Sequence, residues 1–237
     1  MTHYLLLSYP LSKETTHVPR SLGPIRIWPR SRMIKPPEGI GSVYTRWGSY
    51  NNTSIIELTS HTGTHIDLPF HIDPQGYTLS EYTIDDFIFQ QPILINIPKN
   101  DYEEITRKDL EPYRDQLGKA DLLLIYTGFS KHRFTDPARY EERSPGFSVD
   151  GAKFIVEEFP NIRAVGVDLL GIENIGKARP EFPVHKVFLR RGRKFFHIED
   201  MNLEPAVGKK LLKVIVAPLW IPNIDGVPVT VIAEVEG

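Results

Sequence analysis

The sequence predicts an α+β protein built on a mixed or antiparallel sheet, rich in strands and poor in helices. Two features carry that expectation. Short apolar runs bounded by proline, glycine or polar clusters recur along the chain, whereas only two stretches have a helical period. Strands therefore outnumber helices by about three to one. A length of 237 residues with 41% apolar content suffices for a sizeable core and fits one domain spanning 1–237.

In chain order, 3–11 reads as a first strand ended at Pro10. Residues 12–40, rich in Pro, Ser and Arg, read as a long irregular loop or arm. The stretch 54–67 begins as a strand, with Ile55, Glu57, Thr59 and His61 on one face. Residues 91–98, bounded by proline, read as a buried strand. Residues 106–120 resemble a helix that starts after Thr106 and ends at Gly118, with Pro112 opposing it. The apolar run 121–129 is a strand leading into Gly128. A second helix is expected over 148–159, capped by Ser148, with Val149, Phe154, Ile155 and Phe159 facing the core. Residues 162–171 form another buried strand, with Asp168 near its end to orient a ligand histidine or cap a turn. Residues 184–203 read as a hairpin around Gly192, and 209–221 and 227–236 as the last two strands.

Composition excludes several function classes. A formal net charge of -2 gives no general electrostatic reason to expect a nucleic-acid partner. The basic run at 190–194 straddles a turn and reads as a solvated tip. The chain has no cysteine, which rules out disulfides, thiolate ligands and a cysteine nucleophile, and fits a cytoplasmic location. The first residues lack the basic region and apolar length of a signal peptide, and no window reaches the roughly 20 apolar residues of a membrane span.

The chemistry concentrates at 61–71, where three of the eight histidines and an aspartate fall within HTGTHIDLPFH. His61 and His65 are four apart, but Gly63 and the threonines between them make a poor helix. A straight strand would hold them roughly 13 Å apart, too far for one ion. The segment is therefore expected to bend at Gly63. Once bent, His61, His65 and Asp67 form an N,N,O set that suits zinc, iron or manganese. His71 is left as a fourth ligand or as a proton carrier.

His61, Gly63, Thr64, His65, Asp67 and His71 complete the pattern H-x-G-T-H-x-D-x-x-x-H. In it the chain resembles the metal-dependent cyclase family, which includes bacterial kynurenine formamidase, isatin hydrolase and polyketide cyclases. Thr127–Gly128, VGVD at 165–168, HKVFL at 185–189 and the final strand pair extend the resemblance over most of the chain. It implies the swivelling β/β/α fold, and a homodimer or homotetramer. It implies that His61, His65 and Asp67 hold a metal and that His71 is the catalytic histidine. In binuclear members a later histidine and glutamate complete a second site. The histidine matches His185; twelve residues on, where the glutamate is expected, stands His197, with Glu199 two beyond on the same strand face. The cofactor is then Zn2+ or Mn2+, one or two ions per subunit.

The implied reaction is hydrolysis of an amide C–N bond in a small aromatic substrate, with His71 as acid and base. Trp47, Tyr50, Phe70 and Phe134 are candidates to flank that substrate, and Arg46 or Arg179 to pair with its carboxylate. A cyclase, dehydratase or lactone hydrolase remains open, as does a metal-stabilised binding protein in which His71 closes the coordination shell.

Overall fold

The computed structural model describes residues 2–12, 25–29, 54–177 and 181–237. Arg46, Trp47, Tyr50, Arg179 and most of the expected 12–40 arm lie outside the described residues. Thirteen strands are present among them. They are β1 Thr2–Leu6, β2 Arg26–Pro29, β3 Ser54–Glu57, β4 His65–Asp67, β5 Ile88–Phe89, β6 Pro92–Asn96 and β7 Glu104–Ile105. The later strands are β8 Leu122–Tyr126, β9 Gly146–Phe147, β10 Ala164–Val167, β11 Phe196–Glu199, β12 Leu211–Pro218 and β13 Gly226–Glu236. The helices are short: α1 Arg107–Leu110, α2 Arg114–Leu117, α3 His132–Thr135, α4 Pro137–Glu142, α5 Val149–Glu158 and α6 Pro183–Phe188.

Nine strands make one mixed sheet in the order β5-β12-β13-β4-β11-β10-β8-β6, with β1 also paired to β13. The run β11-β10-β8-β6 is parallel; the other pairings are antiparallel. β12 also lies against β6, so the sheet is nearly closed. The expected α+β class holds. The 12–40 arm is not wholly irregular, since β2 pairs with β3.

β8 shows why its sequence is continuously apolar. Leu123 and Ile125 enter the core beneath α5 and α6, while Leu122 and Leu124 enter a second core on the opposite face, so both faces are buried. The same alternation sorts β4 and β11. Ile66, Phe196 and Ile198 point into the second core, which sends His65, Asp67, His197 and Glu199 to the other face.

Three expected elements differ. The helix over 106–120 is broken at Pro112: α1 and α2 flank a 3-10 turn at Glu111–Tyr113, because proline lacks the N–H that a continuous helix needs. The strand that opens 54–67 stops at Glu57, earlier than the expected shared face through Thr59 and His61. Residues 184–203 are not a hairpin, because the first arm is α6. Pro183 occupies the first turn of α6, where a missing N–H costs nothing. The Glu173 carboxylate accepts the next two amides, from Val184 at 2.8 Å and His185 at 3.2 Å. Gly192, at φ 80°, does turn the chain, but from a helix into a strand. Ser148 caps α5 as expected, accepting from the Gly151 amide at 3.1 Å.

Candidate metal centre

The bend expected at Gly63 is present, with φ at 63°. Its carbonyl accepts from His65 Nδ1 at 2.8 Å, which turns His65 Nε2 inward. Past β4, a 3-10 turn at Pro69–His71 folds the chain back, closed by the His71 amide donating to the Leu68 carbonyl at 2.8 Å. Eleven consecutive residues thus wrap His61, His65, Asp67 and His71 around one point.

The second half arrives by strand pairing. The antiparallel register of β4 and β11 sets His197 opposite Asp67 and Glu199 opposite His65. Helix α6 lays His185 over them. The structure therefore brings together the seven residues that the sequence offered as metal ligands or as the acid–base histidine. Asp67 is the hub. Its Oδ1 lies 2.7 Å from His61 Nδ1 and 3.2 Å from His65 Nε2; its Oδ2 lies 2.9 Å from His197 Nε2 and 3.7 Å from both His185 Nε2 and His71 Nε2. Glu199 faces His65 at 3.4 Å, His197 at 3.3 Å and His185 at 3.7 Å. Apart from His61, partly covered, and His71, exposed, the set is buried.

Two carboxylates of this site escaped the sequence reading. Asp225 Oδ2 lies 2.8 Å from His61 Nε2 and 3.3 Å from His71 Nδ1. Its backbone carbonyl accepts the Leu68 amide at 2.8 Å, so β4–β13 pairing delivers it. The neighbouring Gly226 is obligatory, since a Cβ there would stand 2.5 Å from the Ile66 carbonyl oxygen and 2.9 Å from the His61 ring. Glu173, besides capping α6, lies 3.3 Å from His185 Nδ1. No local pattern marks either residue among 30 acidic side chains.

Electrostatically the imidazoles and carboxylates support one another. Burial alone would lower His61; Asp225 and Asp67 outweigh it and raise the ring to about 9. His185 likewise reaches about 9, burial being outweighed by Asp67 and Glu173. Burial pushes Asp67 up, but His197, His185 and His61 hold it well below the usual range. Burial and the Asp67 charge raise Glu199, and the His197 and His65 contacts bring it down. Among the described residues, the ion pairs of Asp67, Glu199 and Asp225 are all with histidine, none with lysine or arginine. Buried carboxylates without a permanent cation, surrounded by imidazole nitrogens, are a donor set that fits a divalent ion. Asp67, His185, His197 and Glu199 offer atoms within 4.8 Å of one another, as do His61, His65 and Asp67.

A buried ion pair holds Asp200, whose carbonyl ties the two halves together through Thr64. Arg133 donates to Asp200 from Nε at 2.7 Å and Nη2 at 2.5 Å, and Tyr140 adds its hydroxyl at 2.8 Å. Asp200 sits at φ 52°, and its carbonyl takes the Thr64 hydroxyl at 2.5 Å. Glu199 and His65, the chain neighbours of Asp200 and Thr64, are tied by this bond.

The other candidates lie elsewhere. Phe70 is exposed beside His71, whereas Phe134 packs edge-on against Tyr9 at 5.6 Å. Among the described residues Asp168 reaches no histidine; it accepts from the Thr127 and Gly128 amides and the Thr127 and Ser130 hydroxyls at 2.7–3.0 Å, the turn-capping role. In the basic run, Arg191 pairs with Asp73, Lys194 with Asp86, and Arg193 donates to the Val156 and Ile162 carbonyls, so the tip is pinned rather than merely solvated. Among the described residues no helix is long and apolar enough to cross a membrane.

Comparison with known proteins places these features in context. The family model described as "Putative cyclase" matches residues 5–174. Cyclase-like protein 1 of Arabidopsis thaliana is 29% identical over 202 residues, covering 81% of this chain and 75% of the relative. Kynurenine formamidase of Geobacillus thermodenitrificans is 28% identical over 194 residues, covering 79% and 84% respectively. Among solved structures, isatin hydrolase A from Labrenzia aggregata superposes with a TM-score of 0.76 at 23% identity, covering 100% of this chain and 94% of that one. At that identity the superposition speaks for the fold.

Proposed function

The chain belongs to the cyclase family, and from that premise we propose that it is a metal-dependent hydrolase that cleaves the amide C–N bond of a small aromatic substrate, as an arylformamidase does. The observation that carries the proposal is the difference between His71 and the buried rings around it. His71 alone is exposed, with Nδ1 against Asp225 and Nε2 turned toward Asp67. That is the placement of a proton carrier at a rim. The residues that would hold one or two ions of Zn2+ or Mn2+ are drawn from His61, His65, Asp67, His185, His197 and Glu199. When bound, such an ion supplies Lewis acidity, polarising a carbonyl and making water nucleophilic at neutral pH.

The remaining chemistry falls to the chain. His71 Nε2 takes the proton of the attacking water and returns it to the departing nitrogen, so that the amide and water become a carboxylic acid and an amine. Asp225 fixes the ring so that Nε2, not Nδ1, faces the reaction. Phe70, exposed next to His71, offers an apolar wall for an aromatic leaving group. The exposed apolar strip of Leu6, Leu11, Ile56, Leu219 and Ile221 around one groove supports a homodimer or homotetramer, which sedimentation would size.

The test is hydrolysis of N-formyl-L-kynurenine and of isatin by protein purified without a histidine tag and loaded with zinc or manganese. The expected result is turnover of the formamide that a chelator abolishes, with kcat reduced about 10²–10⁴-fold in His71→Ala while metal content is kept. Protein that retains no metal and hydrolyses neither substrate would sink the proposal.

A further inference from the structure

Four of the five imidazoles around Asp67 share a construction that the fifth lacks. In each of the four, one ring nitrogen faces Asp67 and the other has an acceptor behind it. His61 has Asp225 at 2.8 Å, His65 the Gly63 carbonyl at 2.8 Å, His71 Asp225 at 3.3 Å, and His185 Glu173 at 3.3 Å. His197 turns Nε2 toward Asp67 at 2.9 Å and Glu199 at 3.3 Å, but its Nδ1 is buried with no hydrogen-bond partner among the described residues. The ring is fully enclosed, with Phe188 beside it at 6.5 Å between centroids.

The tautomer follows from that difference. An imidazole that binds a metal gives up one lone pair and carries its proton on the other nitrogen, which is nearly always donated to a carboxylate, carbonyl or water. For His197 to ligate through Nε2, its proton would sit on Nδ1, a buried donor with nothing to receive it, and orphaned buried N–H groups are rarer than under-used acceptors. The other tautomer leaves only a bare lone pair at Nδ1. It puts the proton on Nε2, where Asp67 Oδ2 stands at hydrogen-bond distance. Glu199 shows the complementary fitness. It shares the β11 face with His197, its Oε1 is held by the Ile172 amide at 2.7 Å, and its Oε2 faces His65 at 3.4 Å.

We propose that His197 is a hydrogen-bond donor that orients Asp67 and Glu199 rather than a metal ligand. The inference rests on the metal-dependent reading above. The position twelve residues after His185 then holds a positioning residue.

The experiment is a long-range proton–nitrogen correlation spectrum of the full chain labelled with 15N-histidine, recorded without metal and on titration with zinc, with His197 assigned through His197→Gln. The expected spectrum keeps the proton on His197 Nε2 in both states, while zinc shifts the Nε2 signals of His65 and His185. A His197 Nε2 that loses its proton and takes on the shift of a zinc-bound nitrogen overturns the inference. If zinc shifts none of the five rings, the metal-dependent reading is what falls. Zinc affinity by chelator competition gives a second readout. His197→Gln, which keeps an N–H donor, is expected to change affinity by less than about 10-fold, and Glu199→Gln to weaken it at least about 100-fold. Equal losses in the two variants would also overturn the assignment.

Discussion

The stretch 61–71 and the stretch 185–199 supply the two halves of the same cluster, and they are built differently. The first holds its groups by local geometry: a left-handed glycine, a three-residue strand and a 3-10 turn bring four side chains to one point within eleven residues. The second holds nothing by itself. His185 is on a helix and His197 and Glu199 on a strand, and they meet only because β11 pairs with β4 and α6 is capped by a carboxylate from another segment. A site half is therefore legible in sequence to the extent that its spacing is short, and it is vulnerable at a distance to the extent that it is not.

That contrast is testable by striking each half and the link between them. The largest effect is expected from Asp67→Ala, because Asp67 faces all five imidazoles of the two halves. Elemental mass spectrometry should find the bound metal lost, and a variant that keeps wild-type metal content would show that the halves do not converge on Asp67. Next comes the link. Arg133→Met leaves Asp200 buried without its cation, and urea unfolding should show a loss of about 3–5 kcal/mol, the usual cost of breaking a buried pair from one side. A loss below about 1 kcal/mol, in the range of a surface pair, would mean that Asp200 holds its conformation without Arg133.

A smaller effect, confined to the second half, is expected from Glu173→Ala. It removes the acceptor behind His185 and the cap of α6, and should weaken zinc binding by about 10–100-fold, measured by chelator competition. Unchanged affinity would place His185 outside the metal's reach. The smallest is Ser148→Ala, which strips the cap of α5 away from the site. It should cost about 1 kcal/mol of stability and leave zinc affinity unaltered; a change in affinity would show that the helical layer and the cluster are coupled more tightly than their contacts indicate.

How far the sequence reached depended on range. Strands such as 121–129 and 162–171 were legible because burial on both faces leaves an unbroken apolar run. The helix at 148–159 was legible because its cap and its apolar face lie within one segment. Residues 184–203 misread because VHKVF and RKFF carry the aromatic and β-branched residues of strands. What makes the first a helix is Pro183 at its start and the reach of Glu173, and only the second of these is invisible in the local pattern. The early end of β3 at Glu57 was hidden for a similar reason, since alternation continued to His61.

By itself the sequence determined the α+β class, the bend at Gly63 and the convergence of His61, His65 and Asp67, because each follows from backbone freedom or side-chain period over a few residues. The tertiary structure alone decided that Asp225 stands behind His61 and His71, that Glu173 stands behind His185, that nothing among the described residues stands behind His197 Nδ1, and that Arg133 holds Asp200, whose carbonyl meets Thr64 across the two halves. Those partners are separated by 12 to 164 positions along the chain. A hydrogen bond depends on distance in space, and only strand register and helix packing turn such separations into contacts of about 3 Å.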